Sequence, residues 1–140
     1  METIALIHAA ATAVLAGIAG TVQIVVYPAF ALVPDPAWVT YHTAHTHRVT
    51  ILLAAPWAIQ VATLFLLFAG WPDTVGALFL VDAVLVGVPL VVSLLASRLH
   101  ARSDVVRQRA VLRRLLWLNA VRLLAWMAGT ATALSLAGSM

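Results

Sequence analysis

A chain of 140 residues, 64% hydrophobic and only 9% charged, has too few charges to cover a water-facing surface. The net charge of +3 comes from eight arginines that lie mostly beside an apolar segment, which predicts membrane topology rather than nucleic-acid binding. The absence of cysteine excludes disulfides, thiolate metal sites and thiol nucleophiles. At about 20 residues per crossing, the length allows four or five spans in one domain, residues 1–140.

Four apolar runs predict an all-α bundle of four transmembrane helices. The first run is longer than the apolar region of a signal peptide and lacks a positive start, so it is interpreted as a helix. Asp35 as N-cap and Pro36 as the first helical residue predict where the second helix begins. Residues Gly70–Asp73 predict the next turn. The predicted helices are 3–33, 37–69, 74–97 and 111–137.

An arginine-rich connector between the third and fourth helices sets the predicted topology. By the positive-inside rule it lies in the cytoplasm, so both termini lie on the non-cytoplasmic side. With no lysine anywhere, the composition suggests a bacterial protein, hence a multi-pass protein of the cytoplasmic membrane. The connector's basic residues are Arg98, Arg102, Arg107, Arg109, Arg113 and Arg114.

Each predicted helix carries one polar stripe at the helical period, which is expected to face inward because polar groups are costly in lipid. Counting residues from the helix ends predicts one polar layer in the cytoplasmic half, made of Gln23, Tyr27, His42, His45, Arg48, Asn119 and Arg122. A sparser second layer toward the outer half is made of His8, Gln60 and Asp82.

Arg122 is the most informative single residue, because an arginine within a span costs about 2.5–3.5 kcal/mol on insertion scales. It either snorkels to the cytoplasmic interface or points inward to bind an anionic or carbonyl oxygen. Asn119 one turn earlier and Trp126 one turn later favour the inward orientation.

Tyr41-His42-x-x-His45-x-x-Arg48 is the densest polar motif. Histidines at positions i and i+3 lie on one helical face, which suits an acid and a base flanking one substrate, or two ligands of one metal. The same pattern also suits a polar helix entrance near lipid headgroups. A zinc or copper site would use His42, His45 and His100, and a bis-histidine haem would pair His45 with His100.

Asp82 lies in the middle of the third predicted helix. A lone carboxylate there is expected to be protonated or hydrogen-bonded, with Gln60 or His8 as its partner. A structural role is the simpler interpretation, and a proton relay is the alternative.

These residues resemble an uncharacterised family of small bacterial four-helix membrane proteins. The resembling positions are Val22-Gln23, Tyr27-Pro28, Tyr41-His42-x-x-His45-Thr46-x-Arg48, Pro56, His100, Asn119-x-x-Arg122 and Trp126. The chain departs from the family pattern at Gln60, where a glutamate is expected, and at Val26, where a histidine is expected. The resemblance implies the four-helix architecture and the polar layer. A looser, architectural likeness extends to small membrane enzymes of polyketide and terpenoid tailoring, including the anthrone oxygenase-like group.

The leading functional hypothesis is a cytoplasm-facing pocket that binds a lipophilic small molecule, with chemistry of the isomerase, cyclase or oxygenase kind on an isoprenoid or polyketide-like substrate. In that hypothesis His42 and His45 are acid–base residues, Arg48 and Arg122 hold an oxyanion, and the orienting or binding residues are Gln23, Tyr27, Tyr41, Asn119 and Trp126. The alternatives are a haem or metal protein and an accessory subunit without a small-molecule site. Membrane lipids are expected partners, and a homo-oligomer is left open.

Overall fold

The computed structural model describes residues 1–70, 76–103 and 109–139, and it is helical almost throughout, with no strand in those ranges. Four of its helices are long and apolar enough to cross a membrane, which confirms the predicted all-α four-span bundle. We number the long helices α1 (Glu2–Thr21), α2 (Trp38–Ala69), α3 (Gly76–Ser103) and α4 (Arg109–Gly138).

The α3 helix runs six residues beyond its predicted end at residue 97, and α4 begins two residues before its predicted start. The apolar run marks where the chain enters lipid, whereas a helix continues until a residue breaks it. No glycine or proline lies between Arg98 and Ser103, so the helix persists into the arginine-rich segment. Residues 104–108 and 71–75 lie outside the described ranges, and with them Arg107 and most of the predicted Gly70–Asp73 turn.

The first span continues past α1 through a π-helical turn, Val22–Val26, and then through short α and 3-10 turns that end at Leu32. The Tyr27 backbone N–H bonds to the Val22 carbonyl, five residues back. Pro28 follows at once, and proline has no N–H to give to the carbonyl four residues earlier. A π-helical turn beside it is a common accommodation and often marks a functional site.

The helices meet in the order α2, α1, α4, α3. The α1 helix packs extensively on α2 and α4, and α3 packs mainly on α4, while α2 and α3 contact each other only slightly. The bundle therefore has a weak seam between α2 and α3. Met1 approaches Gly70 at the end that also holds the chain termini, which we call the termini end; the opposite end, with the Asp35–Ala37 turn, is the connector end.

Two apolar clusters close the bundle at its ends. At the termini end, Ala5, Leu67 and Phe79 pack together with Ala137. At the connector end, the buried cluster contains Val22, Tyr27, Phe30, Trp38, Ala96, Val111 and Leu115. The polar side chains considered next lie between these clusters.

Candidate functional site

A cavity of about 360 Å³ lies between the four helices on the connector side of the bundle. This volume falls within the range of about 300–1,000 Å³ that is usual for small-molecule sites. Four exposed lining residues, Thr50, Ala54, Leu94 and Ser97, lie on α2 and α3, so the cavity reaches the surface at the weak seam. Besides Thr50 and Ser97, its polar or aromatic lining residues are Tyr27, His45, Thr46, Trp57, Ser93, His100, Asn119, Arg122 and Trp126.

Arg122 points into the bundle and lies at the centre of a polar network. Its Nη2 donates to Asn119 Oδ1 at 3.0 Å, and its Nη1 donates to Ser93 Oγ at 3.3 Å. The Tyr27 hydroxyl also interacts with the guanidinium. In turn, Asn119 Nδ2 donates to Gln23 Oε1 at 2.8 Å and to the Ala19 carbonyl at 2.9 Å. The network ties α1, α3 and α4 together and presents a cation to the cavity.

The three histidines at this end occupy different positions. His45 and His100 line the cavity, while His42 is fully buried and stacks on Trp38. His42 Nε2 lies 3.1 Å from His100 Nδ1, so one of these two nitrogens carries the hydrogen of an N–H···N bond. This bond joins α2 to α3 at the seam, where the two helices otherwise meet little.

The arrangement does not favour the metal alternatives. The described part of the chain contains no group of three or more histidine, cysteine or acidic residues placed to hold a metal ion. His42, His45 and His100, the residues predicted for a zinc or copper site, do not form such a group in these ranges. His100, which the bis-histidine haem alternative pairs with His45, contacts His42.

Two residues of the helix-2 motif lie away from the cavity. Arg48 is exposed and is not part of the lining, and Tyr41 is 40% exposed, with its ring edge against Phe30. Arg48, predicted to hold an oxyanion together with Arg122, therefore lies outside the cavity that Arg122 lines. Three residues of an α-helix rotate the side-chain direction by about 300°, which is about 60° short of a full turn. In a series spaced three residues apart, the third side chain therefore points about 120° away from the first and no longer faces inward.

The second polar layer is a separate, largely buried network that reaches all four helices. His8 Nε2 lies 3.0 Å from Asp82 Oδ2, so His8 is the partner of this carboxyl group. On its other side His8 Nδ1 lies 2.8 Å from Thr63 Oγ1 and 3.1 Å from the Gln60 carbonyl. The network is completed by Gln60 Nε2 to Thr12 Oγ1 at 2.9 Å and Thr132 Oγ1 to Asp82 Oδ1 at 2.9 Å.

The protonation of this pair follows from its neighbours. The Gln60 carbonyl can only accept, so a hydrogen on His8 Nδ1 satisfies both groups. A further proton shared between His8 Nε2 and Asp82 Oδ2, which lie 3.0 Å apart, could reside on either atom. The pair is neutral as a unit in both cases, which makes it tolerable in a membrane interior.

Trp57 and Ser93 are two site residues that the sequence did not single out for binding. Ser93 lies on the polar stripe of α3, and its hydroxyl accepts a hydrogen bond from Arg122. Trp57 follows Pro56 in α2 and lines the cavity three residues before Gln60. A tryptophan in an apolar run does not by itself predict a binding role, because most such residues pack between helices or anchor the helix at the membrane interface.

No family model, curated protein or solved structure matches this chain. Its class therefore rests on the fold alone: an all-α bundle whose four helices are apolar enough to cross a membrane, as in a multi-pass membrane protein. The resemblance to the family of small bacterial four-helix proteins stays a prediction.

Proposed function

We propose that this protein binds a lipophilic small molecule in the cavity between its four helices. The observation that carries the proposal is the combination of mostly apolar walls with one arginine, Arg122, that is held by neutral partners in a helix interior. Mostly apolar walls with a few placed polar groups are the usual composition of a small-molecule site. The opening at the α2–α3 seam would let a membrane-dissolved molecule enter sideways.

Acid–base chemistry is the reaction type that the lining favours, if the bound molecule is converted. His45 and His100 are at the cavity wall, and His42 is linked to it through His100. A proton taken up by His100 has His42 as its next acceptor. We therefore assign the acid–base role to His45 and to the His42–His100 pair, and we assign Arg122 with Asn119 to the oxygen of the substrate.

The binding proposal is tested by identifying any small molecule that co-purifies with the protein. Protein in lipid nanodiscs is extracted with solvent, and the extract is compared by mass spectrometry with that of empty nanodiscs. Val49→Trp would fill the cavity, since Val49 is a half-buried lining residue, whereas Val91→Trp adds the same bulk on an exposed face. We expect an enriched molecule in the wild type and in Val91→Trp that is lost in Val49→Trp.

Equal extracts from all three proteins, each folded by circular dichroism, would overturn the proposal and leave the accessory-subunit alternative. Stoichiometric retention of a partner protein would then support that alternative. If a molecule is found, His45→Asn tests the chemistry, because it removes the acid–base group at the cavity wall. We expect the extract to shift entirely to one chemical species, and an unchanged ratio of species would refute the acid–base role.

We further propose that the cavity opens on the cytoplasmic side of a bacterial membrane. The support is the cluster of arginines at the connector end, according to the positive-inside rule. Because the chain has no cysteine, single variants Ala101→Cys and Ser139→Cys report the two ends. In right-side-out vesicles an impermeant maleimide should label Ser139→Cys and not Ala101→Cys. The reverse labelling would invert the topology.

A further inference from the structure

Three buried N–H donors around the cavity have no hydrogen-bond partner among the residues that the structure describes. They are Nε of Arg122 and the indole Nε1 atoms of Trp57 and Trp126, and all three residues line the cavity. Buried polar atoms are nearly always paired, since an unpaired one loses its hydrogen bonds to water without replacing them. Three such donors around one cavity indicate that a hydrogen-bond acceptor belongs there.

The positive charge of the site indicates that this acceptor is negatively charged. Arg122 is always protonated, and its partners are the neutral oxygens of Ser93 and Asn119 and the Tyr27 hydroxyl. No carboxylate of the described ranges lies within 4.0 Å of it, and the buried Asp82 is engaged by His8. A cation in a low-dielectric interior is stabilised most by an opposite charge at hydrogen-bond distance.

We propose that the ligand is an amphiphile whose head group is an organic oxyanion of the carboxylate class. The oxyanion accepts from the Arg122 guanidinium and, once small side-chain rotations turn their buried N–H groups toward it, from the two indoles, and the apolar tail runs along Val49, Leu53 and Leu94 toward the α2–α3 seam. This inference rests on the proposed function and adds the charge and chemistry of the head group. A bare inorganic anion would leave the apolar part of the cavity empty.

The indole N–H groups make the proposal directly measurable. The chain has five tryptophans, so a ¹⁵N-labelled sample in detergent micelles gives a small set of indole ¹⁵N–¹H signals, which single Trp→Phe variants assign. The probes are decanoate and decanol, which share a tail and differ in the head group. Trp117, 75% exposed and outside this cavity, is the internal control.

We expect decanoate to shift the indole protons of Trp57 and Trp126 downfield and to bind at least about tenfold more tightly than decanol, because a hydrogen bond to a charged group is stronger than one between neutral groups. The Trp117 signal should move equally with both probes. Arg122→Gln should abolish the preference for decanoate, and Arg48→Gln should retain it, because Arg48 is exposed outside the cavity. Arg122→Lys keeps the charge without Nε and should keep only part of the preference.

The outcomes separate this inference from the proposed function. If decanoate and decanol perturb Trp57 and Trp126 equally, the cavity binds lipophilic molecules but the oxyanion assignment is wrong. If neither probe perturbs them while Trp117 responds, the cavity does not bind such molecules and both proposals fail. The wild-type comparison needs no variant, so a misfolded Arg122→Gln would not weaken the test.

Discussion

The polar groups near the termini end and those near the connector end differ in how they are satisfied. Around His8 and Asp82 each helix supplies a partner: His8 Nε2 and Asp82 Oδ2 face each other as an ion pair at 3.0 Å, and Gln60 Oε1 has neither a hydrogen bond nor an ion pair among the described residues. Around Arg122 three N–H donors have no hydrogen-bond partner in the described part of the chain, and a cavity lies beside them. A polar network that satisfies itself stabilises the bundle, whereas one that leaves donors open is arranged for something that is added later.

The largest effect should come from splitting the buried pair at the termini end. His8→Leu removes one partner of a fully buried pair, and we expect a loss of about 3 kcal/mol in the free energy of unfolding. The measurement is an unfolding titration in mixed detergent micelles. The double variant His8→Leu/Asp82→Leu should recover most of the loss, because two apolar side chains leave no charge unpaired. A double variant as unstable as the single one would contradict a paired, structural role.

The next largest effect should come from a Val→Phe substitution, which we expect to lower the free energy of unfolding more in the densely packed region near Asp82 than beside the cavity. Val86→Phe adds volume at a site that is 2% exposed, one turn from Asp82, and should lower the free energy of unfolding by about 2 kcal/mol. Val49→Phe adds the same volume beside open space and should change it little. Unfolding titrations of both variants check this. Equal losses would mean that the connector-side cavity closes by repacking.

A smaller effect is expected at Gly129, where α1 and α4 pack closely. A side chain added at Gly129 would begin 3.3 Å from Thr12 Cγ2, whereas one at Gly17 would meet nothing within 4 Å. Gly129→Val should therefore cost about 1 kcal/mol in the free energy of unfolding, and Gly17→Val clearly less. If the two variants unfold alike, close helix approach does not contribute to stability at the termini end.

The smallest effect belongs to Arg48, which the sequence groups with the site and the structure places outside it. Arg48→Gln should change the free energy of unfolding by less than about 0.5 kcal/mol, because the side chain is exposed. It should also leave the molecule that co-purifies unchanged. A lost ligand in this variant would show that Arg48 reaches the cavity in the bound state.

Much of this molecule follows from the sequence, because apolar runs and helical period are local properties of the chain. The four spans, the inward stripe of each helix and the grouping of Gln23, Asn119 and Arg122 follow from hydropathy and counting alone. The end of α3 does not follow from them, since hydropathy predicts which residues contact lipid and does not predict where the backbone hydrogen bonds of a helix end.

The tertiary structure decided which of these polar groups have partners. Helix order leaves the seam between α2 and α3, and it brings His42 to His100 rather than His45 to His100. It also puts Arg122 inside and Arg48 outside, although both are arginines on polar stripes. The physical reason is that a polar group is hydrogen-bonded only if a suitable neighbour lies beside it. The polar stripe of a helix indicates which face a residue is on, but the packing of the helices determines which side chains that face contacts.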